Sequence, residues 1–386
     1  MTSDSAPRLV RLTLTDFRSY AGLRLETEAR LIALAGANGA GKTNIIEAIS
    51  LLAPGRGLRG AAYEDLARQG GAGAWAVAAE IESSSGTVRL GTGWTGQGEG
   101  GENLGAGRIV LIDGHVQKGS GVLGQHLRIL WLTPAMDRVF AGPASDRRKL
   151  LDRLAAVFDP EHGSRVNIFE KVMRERNLLL EEQRPDSAWL ASLEAHMAEA
   201  AIAIAAARLT VIEALRRHID ESRADGGFPW ARIAAEGEIE ALLGAMPAVR
   251  AEDEYRRILA DSRGLDRAAG RTLRGPHRSD LAVAHGPKDM PAEVCSTGEQ
   301  KALLIGLILA HARAVKEVCG LAPVLLLDEV AAHLDRARRG GLFEALAAIG
   351  CQAWMTGTDE NLFAGLGSNS ALWRVDAGTV EEVTER

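Results

Sequence analysis

The stretch GANGAGKT, Gly36 to Thr43, lies between the continuous apolar run LIALA at Leu31 and the helix-prone NIIEAISLL that follows from Asn44. The spacing GxxxxGK[ST] between a buried strand and a helix has a mechanical reason. Glycines at 36, 39 and 41 let successive N–H groups of Gly36, Ala37, Asn38, Gly39, Ala40 and Gly41 wrap a phosphate chain, and the helix that continues through Asn44 turns its positive end toward it. Lys42 supplies a point charge for the outer phosphates. Thr43 offers a hydroxyl to a magnesium ion. A plain glycine turn explains the three glycines but not the Lys-Thr pair behind them. The stretch therefore predicts an ATP or GTP site with Mg2+.

Such a loop needs an acidic partner on a neighbouring strand. VLLLDE, Val324 to Glu329, supplies one: the apolar residues hold Asp328 at the end of a buried strand, where it can serve the metal, and Glu329 follows as a candidate base for the attacking water. Read alone, the same run is a strand entering a turn. Around these two motifs, strand-like runs recur. Val10, Leu12 and Leu14 alternate, Leu23 and Leu25 echo them, and WAVAAEIE, TVRLGTGW and GRIVLIDG follow, with a mobile glycine-rich loop expected at 95–107. From Ser145, read as an N-cap, the spacing turns helical through SDRRKLLDRLAAVF, RVNIFEKVMRERNLLLEEQ and a long alanine-rich stretch from Ala188. Sheet-like sequence returns at RTLRGPHRSDLAVA, then CQAWMTGT, and a terminal hairpin LWRVDAGTVEEV. Strands alternating with helices argue for an α/β layered fold. The helical segment interrupts it, giving a discontinuous head at 1–144 and 266–386 and an insertion at 145–265.

Composition narrows the class. Of 386 residues, 46% are hydrophobic and 25% charged, which excludes a disordered chain. The net charge of -6 gives no global attraction to nucleic acid, so any DNA contact has to be a local patch. Three cysteines, Cys295, Cys319 and Cys351, lie far apart without CxxC spacing, as free thiols of a reducing compartment do; a cytoplasmic location is expected. The apolar runs are too short to span a bilayer, and MTSDSAPRLVR lacks a signal-peptide core, so no membrane role is expected.

CSTGEQK, Cys295 to Lys301, opens the apolar helix ALLIGLILAHA. Its local reading is a capping box, with Ser296 or Thr297 as N-cap and Glu299 or Gln300 as its partner. In the company of the phosphate loop and VLLLDE it resembles the signature of ABC-type ATPases, in which one subunit's signature helix caps the γ-phosphate held by the other. Ser296 then offers a hydroxyl, Gly298 allows close backbone approach, and Asp335 in AAHLD falls at the dimer-contacting loop. The usual signature has glutamine where Glu299 stands, so Glu299 is expected to turn away, toward the helix surface or a basic partner. In place of a switch histidine the chain has MTGTD, with Thr356 and Thr358 as candidates.

The order of motifs is similar to one family, the bacterial RecF proteins. It runs through LTLTDFRSY at Leu12, GANGAGKTNIIEAI at Gly36, LTPAMDRVFAGPASDRRKLLDRL at Leu132, RGPHRSD at Arg274, CSTGEQKALL at Cys295 and LLLDEVAAHLD at Leu325, essentially the whole chain. The resemblance implies an ABC-type ATPase head, with a P-loop sheet core, an antiparallel β-subdomain and an inserted α-helical domain. It implies an ATP-dependent homodimer on duplex DNA at single-strand gaps, helping RecO and RecR load RecA, with slow hydrolysis and a part in replication-fork repair and the SOS response. An SMC-like structural head, or a transporter-type ATPase subunit, is the alternative; the first sits badly with an insertion lacking sustained heptads, the second with the long gap from Gly36 to Ser296 and with the absence of a coupling partner in the sequence. Candidate DNA contacts are Arg56 and Arg59 behind the phosphate-loop helix and Arg147 and Arg148 at the start of the insertion, although the latter pair can equally form salt bridges along helices. GPHRSD reads alternatively as a Gly-Pro turn with an Arg278–Asp280 bridge. Arg18 in DFRSY either approaches the nucleotide or ends a strand.

Overall fold

Alternation in RLVRLTLTDF places Leu12 and Leu14 on the buried face of strand Arg8–Phe17; Leu9 and Phe17, in the other phase, are buried as well, the first beside a bulge between Leu9 and Arg11 and the second behind Asp16 with its left-handed φ of 47°. The computed structural model describes residues 6–96, 107–224 and 227–383; nearly all of the loop expected at 95–107, and the segment MTSDS, lie outside them. Strand Arg8–Phe17 pairs with Tyr20–Glu26 and Trp75–Ser83, and the sheet continues through Gly86–Trp94, Ile109–Ile112 and His115–Val116, antiparallel throughout.

A second sheet is ordered Thr379–Glu382, Ser370–Asp376, Leu31–Ala35, Ala353–Gly357, Val324–Leu327, Ile129–Leu132. All but the first strand run parallel, and the uninterrupted apolar runs LIALA and VLLL are its buried centre. Helix Lys42–Ser50 touches strands of both sheets and buries Ile45, Ile46 and Ile49 in one core with Leu12, Leu14, Trp354 and Trp373. Each such isoleucine contributes about 1.5–3 kcal/mol by leaving water. The helix axis is thereby fixed, and with it the loop that precedes it.

Two compact units divide the chain: Met1–Asp137, Asp225–Phe228 and Leu304–Arg386 form the one just described, and Arg138–Ala224 with Pro229–Leu303 form the other. The second unit is wider than the segment 145–265 suggested by helical spacing. The reason is a strand absent from the sequence reading, Ala231–Glu236, which pairs with Asp280–His285 and ties the following segment to the helices. Helices Ala144–Phe158, His162–Glu181 and Ser187–Glu221 carry its core, where Met197, Ala201 and Ile204 pack with Phe169, Tyr255 and Leu259. Two buried arginines pin it further. Arg176 donates to Glu194, Asp266, Thr272 and the Leu259 carbonyl, and Arg208 to Asp152, Glu240 and the Pro276 carbonyl. Ser145 is not an N-cap: the helix starts one residue earlier, behind Pro143, whose fixed φ suits an entry into a helix. Asp186 is a true cap, accepting from the Ala188 and Trp189 amides.

Candidate nucleotide site

Parallel strands deliver their C-terminal ends to one edge of the sheet. Leu34 lies opposite Thr356 and Leu327 opposite Met355, so the loop after LIALA, the acids after VLLL and Thr356 gather there. Gly36 donates its N–H to the Gly357 carbonyl, and Ala40 donates back to Ala37, closing the loop Gly36–Gly41 on itself. Gly39 and Gly41 have φ of 82° and 112°, the left-handed region that favours glycine. A Cβ on Gly36 would stand 2.1 Å from the Val375 carbonyl oxygen. Gly36→Ala is therefore expected to displace backbone and destabilise the fold by about 1–3 kcal/mol in urea unfolding. Unchanged stability would contradict this close approach.

Lys42 reaches back over the loop, donating to the Gly36 and Ala37 carbonyls at 2.6 and 2.8 Å. Burial lowers its pKa, while Glu329 and Asp328 oppose that shift. Thr43 donates its hydroxyl proton to Asp328 Oδ1 at 3.0 Å, and Thr356 donates to the same oxygen at 2.7 Å. The Glu329 amide in turn donates to Thr356 Oγ1 at 2.9 Å, and Glu329 itself is half-buried with a left-handed φ of 52°. A hydroxyl and a carboxylate side by side are hard oxygen donors of the kind magnesium takes. Thr358, the other switch candidate, is exposed.

Around the first turn of the helix stands a group that the sequence reading did not assemble. Glu47 is buried and bonded bidentately by Arg18, whose Nε and Nη2 both lie 2.9 Å from its carboxylate. Arg59 bonds the same carboxylate and the Asn44 side chain, and Asn44 donates to Ser19. Arg18 and Arg59 are thus engaged with the phosphate-loop helix, and the guanidinium of Arg56 lies over the Tyr63 ring. Arg18 and Glu47 are 29 residues apart and Asn44 and Ser19 25, so spacing alone could not pair them.

The signature turn belongs to the second unit. Ser296, Thr297 and Gly298 are exposed at the start of helix Thr297–Cys319. The Ser296 amide donates to Glu299 Oε2 at 3.0 Å and the Glu299 amide to Ser296 Oγ at 3.4 Å, a reciprocal capping box. Glu299 is turned to an ion pair with Lys288, which with the Ser296 bonds holds its carboxyl at a pKa of about 2. A depressed carboxyl contributes above its ordinary value and loses that contribution only as the pH falls toward about 2. Gln300 is buried and donates to the Cys295 carbonyl at 2.9 Å. In the first unit, Asp335 caps helix Arg336–Ile349, accepting from the Arg338 amide at 2.8 Å. Arg147 forms a two-pronged bridge to Asp280 and donates to the Phe140 and Gly142 carbonyls; Arg148 donates to the Ser279 carbonyl. Asp280 is thus bridged by Arg147 rather than by Arg278.

A phosphate loop on a parallel strand, an acidic pair on the next strand but one and a signature-like capped helix define the head of a P-loop ATPase. The model of the AAA domain family matches residues 11–86. The DNA replication and repair protein RecF of Mesorhizobium japonicum is 51% identical over 371 residues, 96% of each chain, and that of Rhizobium meliloti is 50% identical over 372 residues, 96% of this chain and 98% of the other. This chain belongs to the RecF family. Its fold matches that of a solved recombination mediator protein RecF-ATPrS of the RecFOR pathway, with a TM-score of 0.85 at 22% identity over 100% of both chains. An SMC head domain with an extended coiled coil from Pyrococcus furiosus shares the fold more distantly, at TM-score 0.54 and 18% identity over 98% of this chain and 96% of the other. Among the described residues no helix is long and apolar enough to cross a membrane.

Proposed function

We propose that this chain is an ATP-driven clamp that closes as a homodimer on duplex DNA beside single-strand gaps, and opens when ATP is slowly hydrolysed. The observation that carries this reading is the exposed signature turn. Ser296, Thr297 and Gly298 present a hydroxyl and a helix N-terminus outward, while the carboxylate of Glu299, which would repel a phosphate, is held aside by Lys288. A surface so arranged suits the γ-phosphate on another copy's Lys42, and Asp335 is a further candidate for a contact between the copies. A nucleotide that touches both protomers shifts association, whereas one that touches a single protomer does not.

Gly36 to Asn44 would bind the phosphates, Thr43 and Asp328 would hold the magnesium ion, and Glu329 would accept the proton of the attacking water. Mg2+ supplies charge neutralisation at the phosphates. The family relationship supports a place beside RecR, with RecO and RecA in the same pathway, in fork repair and the SOS response within the cytoplasm. The longest helix among the described residues, Ser187–Glu221, has 35 residues, which favours this mediator over an SMC-like head built on an extended coil. For DNA, Arg56 is the cation best placed among the four candidates, because Arg59, Arg147 and Arg148 are engaged in bonds within the chain.

Sedimentation velocity with and without ATP and gapped DNA, across a salt series, tests the clamp. A dimer is expected with ATP and not with ADP, and DNA affinity should fall steeply with salt. Ser296→Arg should leave monomer ATP binding intact and abolish the dimer; an ATP dimer persisting in that variant sinks the trans-site reading.

A further inference from the structure

The Thr356 hydroxyl carries one proton and accepts at its lone pairs. The proton goes to Asp328 Oδ1 at 2.7 Å, and a lone pair takes the Glu329 amide at 2.9 Å. The side chain is fully buried, so water does not compete for either bond. Thr43 adds its own hydroxyl proton to Asp328 Oδ1 at 3.0 Å. Both hydroxyls converge on one carboxylate oxygen, and Oδ2 accepts no hydrogen bond among the described residues. The bond at the Glu329 amide falls on a residue with φ of 52°, a conformation that L side chains rarely adopt, and its geometry decides where the Glu329 carboxylate leaves the backbone.

We propose that Thr356 is a positioning residue for both acids: one hydroxyl fixes the rotation of the Asp328 carboxylate, leaving Oδ2 for the metal or its water, and clamps the left-handed Glu329 peptide. This rests on the reading of Asp328 and Glu329 given above. It also assigns a task to the next-to-last residue of strand Ala353–Gly357, one of the two candidates for the switch position. Thr356 acts through the two acids, since its donor and an acceptor position are both engaged by them.

The test compares Thr356→Val, which keeps the branched shape without the hydroxyl, with Thr356→Ser, which keeps the hydroxyl. Fluorescent ATP is titrated at graded Mg2+ and in EDTA, and kcat and KM are measured on the full chain. Loss of such a supporting hydrogen bond costs about 10–100-fold in metal affinity or turnover. For the valine variant the expected result is a rise of that order in the half-saturating Mg2+ concentration and a matching fall in kcat, with nucleotide affinity in EDTA unchanged. Serine should restore the Mg2+ dependence and kcat. Wild-type Mg2+ dependence and kcat in the valine variant would overturn the proposal. Should that chain fail to fold, Thr356→Cys, a poor donor of similar size, is read by the same criteria. A wild-type chain that shows no Mg2+-dependent nucleotide binding would instead remove the underlying ATPase reading, so the two failures differ.

Discussion

Lys42→Ala is expected to abolish ATP binding at concentrations that saturate the wild-type chain. The Nζ atom now bridges the Gly36 and Ala37 carbonyls, so the cation is stored on the loop it serves. Incoming phosphates exchange those two carbonyls for charged oxygens, and a charge-assisted bond is about twice as strong as a neutral one. Removing one partner of a buried charge pair costs about 2–5 kcal/mol, roughly thirty-fold to several-thousand-fold in affinity. Here the upper part of that range is expected. Asp328 and Glu329 both act on Lys42, and without it their negative charge faces the phosphates uncompensated. Equilibrium titration with fluorescent ATP checks the expectation, and an affinity within threefold of wild type would refute the assignment of Lys42. Loss of binding should carry loss of the proposed ATP-dependent dimer with it, since linkage allows no shift without differential affinity.

The phosphate loop could be read from the sequence because its parts are covalent neighbours: eight consecutive residues contain the cradle, the cation and the hydroxyl. VLLLDE was readable for the same reason. What spacing could not supply is the set of bonds between distant segments. Thr43 and Asp328 are 285 positions apart, and Arg147 meets Asp280 across 133, so local charge balance suggested helix-surface pairing where the structure has a long-range bridge. Strand Ile129–Leu132 went unread because ILWL is a short apolar run without alternation, a pattern that a buried helix turn shares. It is nevertheless a neighbour of the acidic strand, and its Leu132 carbonyl receives the Asp328 amide. Strand Ala231–Glu236, ARIAAE, was hidden by its alanines, which favour helices. Glu299 shows the opposite case. Electrostatics alone required it to turn from the phosphate, toward the helix surface or a basic partner, and the structure supplies the basic partner in Lys288, eleven residues upstream.

Glu329→Gln is expected to keep ATP and lose turnover. The substitution preserves size and leaves the backbone amide free to donate to Thr356, so the left-handed peptide is retained and Asp328 keeps both of its hydroxyl bonds. Nucleotide affinity and its Mg2+ dependence should therefore match the wild type, in contrast to Thr356→Val. What disappears is the carboxylate proposed to accept the proton, a general-base contribution of about 10²–10⁴ in rate. On the proposal that the clamp opens by hydrolysis, dimers formed with ATP should then outlast the wild-type dimers by a comparable factor. Single-turnover hydrolysis and dimer lifetime, measured on the same sample after a chase with ADP, separate the two consequences. Loss of turnover with a long-lived dimer places Glu329 at the attacking water and couples opening to hydrolysis. Rapid turnover in the glutamine variant excludes Glu329 as the base, and a slow variant whose dimer still opens at the wild-type rate breaks the coupling between hydrolysis and release.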